Sequence, residues 1–275
     1  MTPITLDAMA ESVPDGALVA LPPDNSLPSV ALARALIRRG ARGLRLLGVP
    51  VSGFATDLLI GAGCVAEVET SAVSLGEAGF APRFTAAVKA GAIRVRDATC
   101  PAIHTMLQAA EKGVPFMSLR GLIGSDILAH RPDWKVVPNP FGDGLSDPIV
   151  LLPALSPDVA LIHGVMADEA GNVWVGRRRE LATLAHAAKR VLVTVEMRHR
   201  GDMLEDERLA PGCIAATYIE QVAVAERGAW PVALLDLYPF DAAHVAEYAR
   251  MARTEAGFRE YLDRHVLGTS AQAAA

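Results

Sequence analysis

Short runs of branched and leucine-rich residues alternate along the chain with stretches whose apolar positions recur every three or four residues. Ala17 to Leu21 is an apolar run closed by Pro22-Pro23-Asp24-Asn25-Ser26. From Ser29 to Arg39, Val30, Ala33 and Ile37 fall at helical spacing and Leu32 and Leu36 widen that face, which predicts a helix stopped by Gly40. Leu44 to Val49 reads as the next strand. Phe80, Phe84, Ala87 and Val88 make a further helical stripe ended by Gly91, and Ile93 to Val95 is short and strand-like. Pro101 stands where a first helical residue belongs, ahead of Ile103, Met106, Leu107 and Ala110, with Gly113 as the stop. Pro115 to Leu119 reads as a buried strand.

The second half repeats the alternation. Val159 to Val165 and Val191 to Val195 read as strands around a helix from about Glu180 to Ala188, and another strand is expected near Cys213 to Val222. Helices between short apolar strands predict an α/β fold, a mostly parallel sheet covered by helices on both faces. No Pro-, Gly- or Ser-rich linker divides the chain, and no fixed-period repeat is visible. Pro138 to Pro148 reads as a long loop. One domain over residues 1–270 is expected, with 271–275 as a frayed tail.

Composition narrows the classes. Just over half of the 275 residues are hydrophobic (51%) but only 5% are aromatic, which excludes low-complexity disorder. With 26 Lys+Arg against 31 Asp+Glu, the net charge of −5 argues against a general nucleic-acid partner. The most apolar stretch, Pro148 to Ala167, is broken by Pro153, Ser156-Pro157-Asp158 and His163-Gly164, so no membrane span is expected. The first residues show no basic region followed by an apolar run, and Cys64, Cys100 and Cys213 cannot all pair with one another. A cytoplasmic location is the expectation.

GxGxxG, P-loop, HExxH, GxSxG and CxxC patterns are absent, and the seven histidines lack metal-ligand spacing, so neither a bound metal nor a permanent cofactor is expected. The most distinctive segment is Asp158 to Asn172, a strand running into His163 and then Ala-Asp168-x-x-Gly171-Asn172. It resembles the α-type (A) subunit of family I CoA transferases, nearest to the glutaconate type. Other stretches agree in the same order. They are Asp15-Gly16 before the first strand; Gly76-Glu77 with Phe80, Gly91 and the Thr99 to Ala110 helix; Pro115-Phe116 leading to Arg120 and Gly124-Ser125-Asp126; Thr194-Val195-Glu196; and Gly228-Ala229-Trp230-Pro231 with Tyr238 and Asp241.

The resemblance implies transfer of CoA between an acyl-CoA and a small carboxylic acid, through a glutamyl-CoA thioester. It places the nucleophilic glutamate on a β-type partner chain, in a Glu-Ser-Gly or Glu-Asn-Gly motif that this chain lacks. A hetero-oligomer with a composite cleft follows, with CoA as substrate. Many members of the family carry a Gly-Gly-Phe-type loop after the first strand, whose amides can form an oxyanion hole. Here Pro22-Pro23 removes two donors and leaves the amides of Asp24 to Ser26. That change keeps open a two-subunit CoA-thioester hydrolase, although an acidic residue that such relatives use falls near Cys100 here. A non-catalytic ligand-binding module on the same fold is the remaining alternative.

Candidate binding residues follow, each with its plainer reading. Asn25 and Ser26 belong to the altered loop. Glu77, between glycines, either lines the cleft or caps the helix from Phe80. Cys100, read as the N-cap before Pro101, either presents a thiol at a helix start or simply packs there. Arg120, read at a strand's carboxyl end, either holds an anion or pairs with an acid such as Asp126. Ser125 and Asp126 most simply cap a turn. His163, Asp168, Gly171, Asn172 and Glu196 are family-motif positions read as structural, and Arg177-Arg178-Arg179 is read as a solvated helix start.

Overall fold

The computed structural model describes residues 4–268, and the expected 271–275 tail lies outside them. In chain order the elements are α1 (Leu6–Glu11), β1 (Leu18–Leu21), α2 (Val30–Arg39), β2 (Leu44–Gly48), α3 (Phe54–Gly61), β3 (Val65–Thr70), α4 (Pro82–Lys89) and β4 (Arg94–Asp97). Then follow α5 (Cys100–Glu111), β5 (Phe116–Leu119), α6 (Ile127–His130), β6 (Lys135–Asn139), β7 (Gly144–Pro153), β8 (Val159–Ala167) and β9 (Val173–Trp174). The last are α7 (Arg179–Ala187), β10 (Val191–Arg198), β11 (Cys213–Ile214), β12 (Gln221–Val224), α8 (Ala242–Met251) and α9 (Glu255–Leu262).

Seven parallel strands in the order β12-β10-β8-β1-β2-β3-β4 form the main sheet. The chain winds outward from β1 to β4, then returns to the other side of β1 through β8. Right-handed crossovers therefore place α2, α3 and α4 on one face and α5 and α7 on the other; the second pair pack on each other. β8 is the central strand, buried along nearly its whole length. It pairs with β1 through Val19↔Val159 and with β10 from Val191↔Ala160 to Arg198↔Ala167. Strands buried on both faces explain the near-continuous apolar runs. The short β9 and β11 add antiparallel to the end of β8.

Helix starts are fixed by capping oxygens. Ser29 caps α2, and Gly40 ends it with φ +74°. Two caps come from distant carboxylates: both Asp24 oxygens accept the Phe54 amide at the start of α3, and Asp57 of α3 accepts the Phe84 amide (2.6 Å) at the start of α4. Thr99, not Cys100, is the cap of α5, because its hydroxyl accepts the Ala102 amide at 3.3 Å; Cys100 is the first helical residue.

Other expectations are corrected. Pro138 to Pro148 is not a loop but holds the end of β6 and the first part of β7, which with β5 form a separate three-stranded antiparallel sheet. Pro115 to Leu119 accordingly holds not a buried strand of the main sheet but β5, with alternate residues exposed. Phe80 precedes α4 and is 89% exposed. The Cys213 to Val222 region is two strands separated by a short 3-10 turn at Ala216–Tyr218. Helix α3 has no polar stripe, because all but its last residue are buried, which is why helical periodicity does not reveal it.

Candidate active-site cleft at the carboxyl edge of the sheet

The loops after β1, β2 and β3 converge at the carboxyl ends of their strands, where open α/β sheets place ligands. They enclose a cleft of about 540 Å³ lined by Asp24, Asn25, Ser52, Ser74 and Glu77, with Ala233 and Phe240 contributed from the far end of the chain. Two sequence candidates thus meet here: Asn25, exposed on the lip, and Glu77, exposed on a 3-10 turn from Gly76 to Ala78. Glu77 does not cap the following helix, a task that falls to Asp57. Cys100 stands near this edge, its exposed Sγ 3.2 Å from the hydroxyl of Ser71, whose neighbour Ala72 lines the cleft.

The structure separates the remaining candidates from this group. Ser26 is buried, its hydroxyl donates to Glu180 of α7, and its amide donates to the Pro23 carbonyl at 2.8 Å. Of the three amides left by Pro22-Pro23, only those of Asp24 and Asn25 lack an acceptor among the described residues. Arg120 ends β5 on the antiparallel sheet rather than a strand of the main sheet, and pairs with Asp147 at 2.6 Å. It borders an apolar trough with Phe116, Val137 and Phe141. The Ser125 hydroxyl accepts the Ile127 amide at 3.2 Å, whereas Asp126 forms no side-chain cap.

Asp24 was not singled out by its sequence. Its carboxylate sits against Gly53, where an added Cβ would come within 2.3 Å of it. Burial pushes its pKa up to about 6, against the lowering effect of the Phe54 amide. It is therefore a cleft-lining acid that changes charge near neutral pH. A signal was present in retrospect: an acid directly after two prolines, inside an apolar surround.

Beside this cleft lies a buried polar network. His163 Nε2 is 2.9 Å from Glu196 Oε1, and Nδ1 is 2.8 Å from Thr194 Oγ1, itself 2.7 Å from Ser29 Oγ. Glu196 also accepts from the Tyr238 hydroxyl (2.7 Å) and from the amides of Arg227 (2.7 Å) and Gly228 (3.0 Å). Burial raises the Glu196 pKa, but the hydrogen bonds from His163, Tyr238 and the Arg227 amide outweigh it and bring it down to about 2. The ionised carboxylate fixes the neutral ring: Nε2–H donates to Glu196, Nδ1 accepts from Thr194, and Ser29 donates to Thr194. Tyr238 is pushed up by burial and by its bond to Glu196. The network pins the 227–241 segment, which carries Ala233 and Phe240 into the cleft.

Asp168 is a second hub. It accepts the amides of Gly171, Asn172 and Met203 and the Asn172 Nδ2, all within 3.0 Å. Burial raises its pKa, and these donors overcome that effect and hold it below the ordinary value. Gly171 turns the chain at φ +98°, and the Asn172 carbonyl oxygen accepts the Ala216 amide at 2.9 Å. The family-motif residues are structural in this sense.

One group among the described residues has metal-ligating chemistry. His244, Glu247 and His265 bring ligand atoms within 4.8 Å of one another. His244 already bonds the Tyr261 hydroxyl at 2.7 Å, and burial, with His265 and Arg34 adding to it, lowers its pKa to about 4. The neighbouring Arg34 charge opposes a second cation.

A doubly wound sheet with a cleft at its carboxyl edge and a helix-capping carboxylate inside it defines the class only as a ligand-handling α/β protein. The sequence model of the family described as Coenzyme A transferase matches residues 4–223, and the chain belongs to that family. It is 30% identical over 273 residues to the A-type subunit of the 3-oxoadipate CoA-transferase of Pseudomonas knackmussii, covering 96% of this chain and 92% of that one. Its fold matches the glutaconate coenzyme A-transferase of Acidaminococcus fermentans with a TM-score of 0.88 at 25% identity, over 98% of this chain and 89% of that one. The decarboxylase AibA/AibB matches with a TM-score of 0.81 at 28% identity, over 96% and 98%. The chain also spans 52% of the length of an Archaeoglobus fulgidus protein to which it is 34% identical over 86% of its own length. Among the described residues no helix is long and apolar enough to cross a membrane.

Proposed function

We propose that this chain is the α-type half of a two-subunit CoA transferase that moves CoA from an acyl-CoA to a carboxylic acid. The observation that carries this reading is the similarity, over nearly the full length of both chains, to an A-type CoA-transferase subunit. In this reading the nucleophilic glutamate comes from a β-type partner, and the glutamyl-CoA thioester forms on that partner. This chain supplies one wall of the shared cleft. The Asp24 and Asn25 amides are the donors positioned for a developing oxyanion. Asn25 and Glu77 orient the acids, while the Glu196 network holds the cleft's far wall in place. The three free cysteines fit a cytoplasmic complex.

The test is co-expression with a β-type chain, followed by acyl-CoA addition and mass measurement of both chains after borohydride or hydroxylamine treatment. The expected result is transfer to an added acid, with modification confined to the partner. Full transferase activity in this chain alone would falsify the composite site. A hydrolase is the second reading, favoured by Pro22-Pro23, and it releases free CoA when no acceptor acid is present. Release of carbon dioxide would instead point to the chemistry named for the AibA/AibB structure.

A further inference from the structure

The segment that gives Ala233 and Phe240 to the first cleft gives Leu235, Asp236 and Leu237 to another, of about 700 Å³. Its floor is apolar: Val165 near the carboxyl end of β8, Trp174 of β9, and the two leucines. Arg177 and Arg178 line it just before α7, and Arg178 is half-buried. Neither guanidinium forms an ion pair or hydrogen bond with another described side chain. The third arginine of the run, Arg179, is the first residue of α7 and does not line the cleft, so only part of this charge run is a solvated helix start.

Three features point to a ligand. Leu235 holds φ +40°, a left-handed conformation that costs a non-glycine residue about 1–3 kcal/mol and persists where surrounding structure imposes it, commonly at ligand sites. Two arginines side by side with no acid between them repel, and a bidentate anion relieves that repulsion. The single acid on the wall, Asp236, is exposed at the lip and disfavours a ligand charged along its length. What fits is an apolar chain with one anionic end.

We infer that this cleft is a subsite for the methylene chain and distal carboxylate of a dicarboxylic substrate, with Arg177 and Arg178 receiving the carboxylate. The assignment deepens the transferase reading and rests on it for the identity of the substrate, but its test reads binding directly. A phosphate of CoA would offer the arginines the same charge, so the probes separate the two.

Calorimetric titration of the full chain uses adipate, hexanoate and adenosine 3′,5′-bisphosphate. Adipate binds, hexanoate binds weakly, and Arg177→Ala with Arg178→Ala weakens adipate about tenfold or more while leaving hexanoate unchanged. The paired Lys variants retain part of the adipate affinity, and an unchanged unfolding midpoint shows that the Ala pair folds. Absence of saturable adipate binding to the wild-type chain overturns the inference. So does loss of bisphosphate rather than adipate in the Ala pair, and so does loss of a co-expressed β-type partner, which would make the arginines an inter-chain contact. The two readings fail separately. A complex that transfers CoA to a monocarboxylate, with adipate binding indifferent to the arginines, sinks only the subsite. Arginine-dependent adipate binding without CoA turnover sinks only the transferase.

Discussion

Tyr238 donates its hydroxyl to Glu196 Oε1 at 2.7 Å, and that one carboxylate thereby joins the end of a central strand to a segment forty residues away in the chain. Because the His163 ring and two backbone amides converge on the same group, its loss strands several donors at once. Glu196→Gln keeps an acceptor but not the charge, and is expected to lower unfolding stability by about 1–3 kcal/mol in denaturant titrations. The folded pKa of Glu196 is depressed to about 2 from an ordinary value of 4.5. Its stabilisation is therefore complete above pH 4.5 and is lost as pH falls toward 2. The variant should show a flatter acid limb across that window.

Asp24 has the opposite sign. Its folded pKa is raised to about 6 from 3.8, so the folded state binds the proton more tightly than the unfolded chain does. Asp24 lowers stability progressively as pH rises from 3.8 through 6, and that cost is complete above 6. Asp24→Asn removes this slope, and a pH series of unfolding midpoints detects it. The variant's catalytic pH profile should also lose an inflection near 6; an unchanged inflection would assign it to another group.

Gly228 lies against the His163 ring, with a built Cβ only 2.4 Å from Cε1. Gly228→Ala must displace either the ring or the segment, at a cost of about 1–3 kcal/mol, the range for overpacking. Thermal unfolding measures the loss. A loss of activity larger than the loss of folded protein would show that the cleft wall has moved.

Asp168→Ala leaves three buried amides and the Asn172 side chain without their acceptor. An expected loss of about 3 kcal/mol or more follows, since each buried donor left unpaired costs about 1–3 kcal/mol. Soluble yield and chemical denaturation report it. A silent substitution would rule out the hub role.

Arg120→Ala removes an exposed side chain paired with Asp147. Exposed pairs contribute about 0–1 kcal/mol, so unfolding should change little. Turnover by the two-subunit complex should also stay within about twofold of wild type, the scale of such a surface change. A large loss would bring Arg120 back as a substrate-binding residue.

Much of this was legible in the residues. The alternation of β8, α7 and β10, the Ser29 cap and the Gly40 stop all follow from local chemistry, and so does the parallel sheet. The residues of the Glu196 network stand in separate motifs, Asp158–Asn172, Thr194–Glu196, Gly228–Pro231 and Tyr238, and each can be recognised alone. Their mutual bonds cannot, because they depend on strand register and on a loop folding back. Asp24 stayed hidden for the same reason: its partner is the Phe54 amide, thirty residues on. The β6–β7 pair was obscured because its prolines and glycine read as a loop. Arg120 was misplaced because a strand's carboxyl end says nothing about which sheet the strand joins.

The two long-range caps share a direction. Asp24 closes the start of α3, Asp57 of α3 closes the start of α4, and in both cases the carboxylate precedes the helix it serves. A chain emerging from the ribosome thus has each latch in hand before the helix that needs it, so this face of the sheet is built to assemble in sequence order. Damage early in the chain then travels forward: losing the first latch loosens the helix that carries the second.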